Sequence, residues 1–589
     1  MARITFLLAL ALGLGLGLGL PKAGQRLTLN KGPNVIVIMT DDQDQLLESM
    51  SVMPKVRTLI GAEGVTYDKH YCTVAWCCPS RVNFFTGRAA HNTNVTSSDA
   101  PHGGWPKFNN VGLNNNYLPV WLQDEGINTY YIGKFMNGLT KGNLADPAPP
   151  RGWTDSSFLV DPWTYNYYNS HWTNRVNAQS MADIASEKGT HTTDVTGRKA
   201  LNMLDDAAAR KGQFFMMVAP VAPHNQIGGG STAPPIPEKY FNTFNDRRAP
   251  RSENFNPDEP SGASWVHDLP KLTDKEIQRL DEIHIGRLGN IAAIDDMVGS
   301  LVDRLDDLGI LDNTYIIYTT DNGLLSRSTE EEMRLTTDLV GFHIGQHRLK
   351  DGKRCPYEED INIPLLVRGP DVARGVTSSV VNSHTDMAPT ILRMLGVPLR
   401  DEFDEASIAY TADEVAGPTK KHELVNVEFW TSTNSINSMS SGTYYNNTYK
   451  ALRLISDDHS FLYTAWCTGE HEFYDMTADP GQMFNRLATP PRGSASRYYG
   501  RSEEELFDRL DALLMVTKSC TRDSCRDPWA TLFPGGEIGG LEDAMRSEYD
   551  TFFSNQPKIS FSGCVKQHVI AEEGPQSVNI FGASRQAVI

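Results

Sequence analysis

Two pairs of oxygen-bearing residues, Asp41-Asp42 and Asp321-Asn322, end the short β-branched apolar runs "NVIVIMTDD" and "NTYIIYTTDNG". Carboxylate and amide oxygens suit a hard divalent cation, Ca²⁺ or Mg²⁺, better than a soft metal. Asp-Asp and Asp-Asn-Gly are also ordinary turn residues at strand ends, and either pair alone reads as a turn. Together, each closing a buried strand, they make a metal site an expectation. Four cationic side chains sit at comparable places: Arg81 in "CCPSRVNFFTG", Lys134 in "YYIGKFMNG", His224 in "APVAPHNQ" and Lys353 in "LKDGKRCPYEEDINIPLL". Donors of these types arriving from several directions can hold a tetrahedral oxyanion, although each taken singly reads as a solvated surface charge. Cys77 and Cys78 lie side by side just before Arg81. They could be disulfide halves, metal ligands or a reactive group. A zinc site is excluded by spacing, because no second CxxC or HxxxH matches. Cys520 and Cys525 in "SCTRDSCRDPW" are close enough to close a small disulfide loop.

The elements that must position these groups alternate. Helix-like "TGRKALNMLDDAAARK" precedes the strand "GQFFMMVA", whose following loop holds His224. "IAAIDDMVGSLVDRLDDLGIL" has apolar residues at helical spacing and runs into the strand that ends in Asp321-Asn322. "INIPLLVRGP" reads as a further strand and "TDMAPTILRML" as a further helix. Such alternation implies an α/β fold with a largely parallel sheet sandwiched by helices. Ligands then collect at the C-terminal strand ends, where these polar residues lie. After about Val397 the pattern gives way to successive strands and the helix "EEELFDRLDALLMV", a smaller α+β domain around an antiparallel sheet. Residues 225–270, rich in Pro, Asn, Asp and Gly, read as a long surface insertion that could shape a substrate mouth.

A chain of 589 residues is long enough for one large domain and a smaller one. Its net charge of -18 argues against broad nucleic-acid binding, yet a local basic cluster can still hold a small anion. The N-terminus, "MARITFLLALALGLGLGLGLPKAGQ", has a positive residue, a glycine-broken apolar run and a small-residue site near Ala23. A signal peptide over residues 1–23 is the first reading and a signal anchor the second. No later stretch approaches a membrane span, so none is expected in the mature chain. The sequons at Asn94 and Asn446 fit a glycosylated, secreted protein, although sequons also occur by chance.

The stretch "CCPSRVNFFTG" resembles the sulfatase signature, Cys-x-Pro-Ser-Arg followed by a helix ending in Thr-Gly. The Asp-Asp strand, "GK", "APH", "TDNG" and "K…YE…P" follow in the order that family uses, over residues 34–400, and "EFYDMTADPGQMFNRLA" resembles its C-terminal domain. Two branches look closest: fungal or algal arylsulfatases and N-acetylglucosamine-6-sulfatases. The resemblance implies an alkaline-phosphatase-like catalytic domain over residues 24–397 and a smaller domain over 398–589. It implies that Cys77 becomes formylglycine, made by a formylglycine-generating enzyme, with Cys78 in a variable position. Asp41, Asp42, Asp321, Asn322 and the converted Cys77 would hold one Ca²⁺. Arg81 would anchor the aldehyde hydrate, while Lys134, His224 and Lys353 would hold the sulfate. Many sulfatases have His two residues after the GK lysine, where this chain has Met136; Asn137, which follows it, is expected to line the pocket. The implied activity is hydrolysis of a small sulfate ester outside the cell, as an arylsulfatase that scavenges sulfur or, alternatively, as an N-acetylglucosamine-6-sulfatase. A phosphomonoester or phosphonate hydrolase on the same scaffold would prefer a Ser or Thr nucleophile and a second metal site. A catalytically dead binding protein would have lost a key residue. With Cys77 converted, seven of the eight cysteines remain, so at least one thiol stays free, with Cys78 the candidate.

Overall fold

The structure, a computed structural model, describes residues 32–589 apart from 145–147, 178–179, 228–230, 323–342, 418–422, 431–445, 490, 492–495 and 584–585. The expected signal peptide lies outside the described residues. β1 (Asn34–Thr40) is apolar on both faces, and all seven of its residues are buried. Val35, Val37 and Met39 enter one core while Ile36 and Ile38 enter another, as in a strand covered on both sides.

β2 (Gly64–Tyr67), β3 (Asn128–Gly133), β4 (Asp155–Phe158), β5 (Phe214–Ala219), β6 (Thr314–Thr320), β7 (Leu365–Arg368) and β8 (Val376–Ser378) complete an eight-stranded sheet of order β8-β2-β7-β6-β1-β5-β3-β4. Only β7, the "INIPLLVRGP" strand, runs antiparallel to its neighbours. The remaining pairs are parallel. α1 (Cys77–Thr86) and α4 (Met387–Met394) cover one face, while α2 (Thr192–Ala209) and α3 (Asp274–Asp307) cover the other. α3 starts at a capping box formed by Thr273 and Glu276. Phe403, Ile408 and Tyr410 pack into the α1 core.

β9 (Leu424–Phe429), β10 (Tyr449–Ile455), β11 (Ser460–Trp466) and β12 (His471–Asp475) form an antiparallel meander. Strand alternation gives it two working faces. Leu424, Leu452 and Leu454 meet Leu506, Leu510 and Leu513 of α5 (Glu503–Thr517). Val425, Val427 and Ala451 instead join the cluster containing Tyr71, Trp76 and Cys77, so this sheet backs the entry to α1. Within the 225–270 stretch Trp265 and Val266 are buried, and Ser264 N–H donates to Glu470 Oε1 at 2.8 Å. That stretch therefore clasps the meander rather than only decorating the surface.

Cys520 and Cys525 are joined, and Cys467 is joined to Cys564. Cys72, Cys77, Cys78 and Cys355 are buried and take part in neither disulfide. Asn94 and Asn446 are exposed, while the threonines of both sequons donate to the C-terminal tail, Thr96 to Lys566 O at 3.4 Å and Thr448 to Val565 O at 2.9 Å. Among the described residues no helix is long and apolar enough to cross a membrane.

Candidate active site

Register does the first work. β1 and β6 pair from Asn34–Thr314 to Thr40–Thr320, so Asp41-Asp42 and Asp321-Asn322 leave the sheet side by side. Asp42 adopts φ 71°, a left-handed conformation uncommon for a residue with a β-carbon. Its N–H donates to Asp321 Oδ1 at 3.1 Å, and Arg287 donates to its carbonyl at 2.9 Å. Strain of this kind persists where the surroundings hold it.

α1 supplies the next group. Trp76 is extended, Cys77 is the first helical residue, and all ten residues of α1 are buried. The Ser80 hydroxyl donates to the Asp321 carbonyl, pinning this end of the helix to β6. Cys77 Sγ lies 3.6 Å from Asp41 Oδ1, 3.9 Å from Asp42 Oδ1 and 3.1 Å from Lys353 Nζ. Asp41, Asp42, Cys77 and Asp321 offer ligand atoms all within 4.8 Å of one another.

The cations close around them. Gly133 has φ 115°, and a β-carbon there would meet the Ala219 carbonyl oxygen at 1.9 Å. Glycine thus lets β3 end tight against β5, where Lys134 Nζ sits 2.5 Å from Asp41 Oδ2. Arg81 Nε is 2.8 Å from Asp321 Oδ2, and its Nη1 donates to Lys134 O at 2.5 Å. Arg81 Nη2 is buried with no hydrogen-bond partner among the described residues. Lys353 Nζ is 2.5 Å from Asp42 Oδ1 and 2.6 Å from Asn322 Oδ1. His224 Nε2 is 3.3 Å from Asp42 Oδ2, and Nδ1 is 2.7 Å from Asn225 O. Every residue expected at the site is therefore in one buried cluster, with Asn137 at its margin, donating from Nδ2 to Tyr165 Oη at 2.9 Å.

The electrostatics are uneven. Burial alone would raise Asp41, but Lys134, Arg81 and Lys353 hold it below the ordinary carboxylate range. Burial pushes Asp42 well above that range; Lys353 opposes this, and Asp41 and Asp321 add to it. Burial takes the Cys77 thiol up to about 12, although Lys134 and Lys353 pull it down, so the thiol is protonated and a weak nucleophile. His224 is pushed well below 6.5, first by burial and then by Lys134, and stays neutral. Three buried carboxylates and the Asn322 oxygen form a hard donor set that fits a hard divalent cation.

Tyr165 and Tyr167 carry functional contacts that the sequence reading missed. The Tyr165 ring lies against His224, with centroids 4.2 Å apart, and Lys134 Nζ is 5.0 Å from its centre. Tyr167 Oη donates to His224 O at 2.5 Å. Their segment, "PWTYNYYNSHW", is aromatic throughout, which gives no spacing signal to single them out.

The profile of the sulfatase family matches residues 33–397. An arylsulfatase of Volvox carteri is 31% identical, over 90% of this chain and 82% of that protein. An N-acetylglucosamine-6-sulfatase of Homo sapiens is 31% identical, over 90% of each chain. A protein solved with its substrate D-glucosamine-2-N,6-O-disulfate superposes with a TM-score of 0.60 at 23% identity, covering 78% of this chain and 94% of that one. The family profile, these relatives and the assembled site agree: the chain belongs to the sulfatase family, hydrolases of sulfate esters.

Proposed function

We propose that the chain is a secreted arylsulfatase that uses formylglycine at residue 77 and one Ca²⁺ to release sulfate from small esters for sulfur scavenging. The observation that carries this reading is the place of Cys77: first residue of a wholly buried helix, 3.1 Å from Lys353 Nζ and beside Asp41 and Asp42. We read residues 24–397 as the catalytic domain and 398–589 as the smaller domain that backs it. Asp41, Asp42, Asp321 and Asn322 would hold Ca²⁺, which supplies positive charge next to the reacting group. Formylglycine, once water has added to its aldehyde, would supply two hydroxyls on one carbon, one as the nucleophile toward sulfur and one whose proton loss lets sulfate leave as the aldehyde re-forms.

The chain's own residues do the rest. Asp41, Asp42 and Asp321 balance Arg81, Lys134 and Lys353 charge for charge. A divalent cation added to that balance leaves a positive surplus suited to a sulfate group. Lys134, Lys353 and Arg81, whose Nη2 is unmatched, orient the anion. Lys353, 3.1 Å from Cys77 Sγ, is the proton carrier that can protonate the leaving oxygen, while His224, held neutral, helps to position the anion. An N-acetylglucosamine-6-sulfatase is the second reading, supported by Asn137 at the margin of the buried cluster.

The test is the mass of the peptide containing residue 77, together with turnover of Cys77→Ala. Conversion of the thiol to an aldehyde is expected. The variant should melt close to the wild type and release no sulfate from nitrophenyl sulfate or glucosamine 6-sulfate. An unmodified thiol in fully active protein, or turnover by the variant, would sink this reading.

A further inference from the structure

Between β4 and the hairpin strand Asn169–Asn177, the chain carries Tyr165 onto the site. The ring is fixed by groups assigned to the sulfate: His224 against it, centroids 4.2 Å apart, and Lys134 Nζ 5.0 Å from its centre. Tyr165 is 4% exposed and Asn137 is 3% exposed. Aromatic stacking and cation–π contact of this kind hold a ring in one orientation, so the direction of its hydroxyl is set too.

The hydrogen-bond inventory of this pair is incomplete in a specific way. A phenol has one hydrogen to give, and a carboxamide has one oxygen to accept with. Asn137 spends Nδ2 on Tyr165 Oη at 2.9 Å, which turns the phenol's own hydrogen away from Asn137. Among the described residues that hydrogen has no acceptor, and Asn137 Oδ1 has no donor. Nearby, Asn225 Oδ1, on the residue after His224, is also buried without a donor. Buried polar groups are matched as a rule, so this pair is open to a ligand group, or a water that a ligand displaces, that supplies the missing partners. Burial raises the Tyr165 phenol well above its ordinary pKa against the pull of Lys134, which keeps it a donor. A donor and an acceptor side by side complement a hydroxyl group, which is both. The ring of an aryl sulfate offers neither.

We propose that Tyr165, with Asn137, determines specificity by recognising a hydroxyl of the alcohol being released, so that the site selects the sulfate ester of a polyhydroxylated alcohol such as a saccharide over a bare aryl ester. This rests on the sulfate-ester reading above and favours its second form, a sulfatase of saccharide esters, over its first. It makes aryl turnover a reaction of a good leaving group, and saccharide turnover the one that uses the whole pocket.

The experiment uses the full-length, matured, Ca²⁺-supplied protein and compares kcat/KM for glucosamine 6-sulfate with that for nitrophenyl sulfate. Tyr165→Phe keeps the ring on His224 and Lys134 and removes only the hydroxyl. Its ratio of saccharide to aryl kcat/KM should fall about tenfold, the worth of one matched hydrogen bond. Glucosamine, the released alcohol, should raise the melting temperature of the wild type more than that of the variant. A ratio within about twofold of the wild type's, or equal stabilisation of both proteins by glucosamine, overturns the assignment. So does a wild type that cleaves only the aryl ester. A wild type that cleaves neither ester overturns the proposed function as well, so the two failures are told apart.

Discussion

The molecule holds two buried charge clusters of similar size, and they are built to opposite ends. Where the antiparallel meander meets the segment after α1, Glu428 takes His91 Nδ1 and Lys450 Nζ, each at 2.8 Å, on one oxygen and the His91 N–H at 3.0 Å on the other. Glu573 takes Trp430 Nε1 at 2.7 Å and lies 3.3 Å from Lys450. Burial opposes ionisation of both acids, yet His91 and Lys450 hold Glu428 low, and Lys450 draws Glu573 down to about 2. At the active site the same ingredients leave Asp42 pushed up by burial and its acidic neighbours, and leave an Arg81 nitrogen unmatched. The first cluster holds both of its carboxylates ionised against burial and welds chain segments together. The second is at odds with itself until a cation and an anion arrive, as expected of a functional site.

The largest effect comes from breaking the unmatched cluster. Asp42→Asn should lower sulfate-ester turnover by about a thousandfold and should not unfold the protein, because the carboxylate it removes is held at a cost. Wild-type unfolding free energy should rise with excess Ca²⁺ over chelator, by about 2.7 kcal/mol at a hundredfold the Kd, and this increment should vanish in Asp42→Asn. An unchanged Ca²⁺ response in the variant would remove Asp42 from the metal site.

The matched cluster should respond the other way. Glu428→Gln leaves His91 buried without its counter-charge and Lys450 with Glu573 alone, a change that costs about 3–5 kcal/mol, readable by chemical denaturation. Turnover per folded molecule should stay within about twofold of the wild type's, since Glu428 touches none of the site's groups. Loss of turnover at unchanged stability would erase the distinction between the clusters.

This contrast also marks what the sequence could reveal. The acid pairs were legible because each follows a short buried strand, and an in-register parallel pair must bring them together. Lys134 and His224 were legible for the same reason, as strand-end residues. Lys353 was singled out with those cations, although nothing in its spacing showed that it meets Asp42 across 311 residues. Tyr165 stayed hidden because its importance lies in what it stacks on, not in its spacing. The reversed direction of β7 was equally hidden, since an apolar run reads the same either way. Cys520–Cys525 showed in their nearness, whereas Cys467–Cys564, separated by 97 residues, gave no sign. His91, Glu428, Lys450 and Glu573 belong to no motif. Their pairing follows from packing between the meander, α1's neighbourhood and the tail.

The smallest expected effect resolves the matched cluster by pH. His91 faces acceptors on both nitrogens, Glu428 Oε2 at 2.8 Å and Cys520 O at 2.7 Å. Burial opposes its charge, but Glu428 holds its pKa above 6.5. A histidine raised in the folded state stabilises fully below its unfolded pKa and loses that contribution as pH rises through the folded value. Glu573, depressed from 4.5 to about 2, contributes above 4.5 and loses its share as pH falls toward 2. The cluster is therefore strongest between these limits, from about pH 4.5 to about pH 6.5. His568, 3.2 Å from Glu573 and lowered by burial, works in the opposite sense on the acid side, so a single-residue comparison isolates His91. His91→Gln should cost more melting temperature at about pH 5.5 than at about pH 8.5, with little change in the Ca²⁺ response. An equal or larger loss at alkaline pH would mean that His91 is neutral in the fold and that Glu428 is balanced by Lys450 alone.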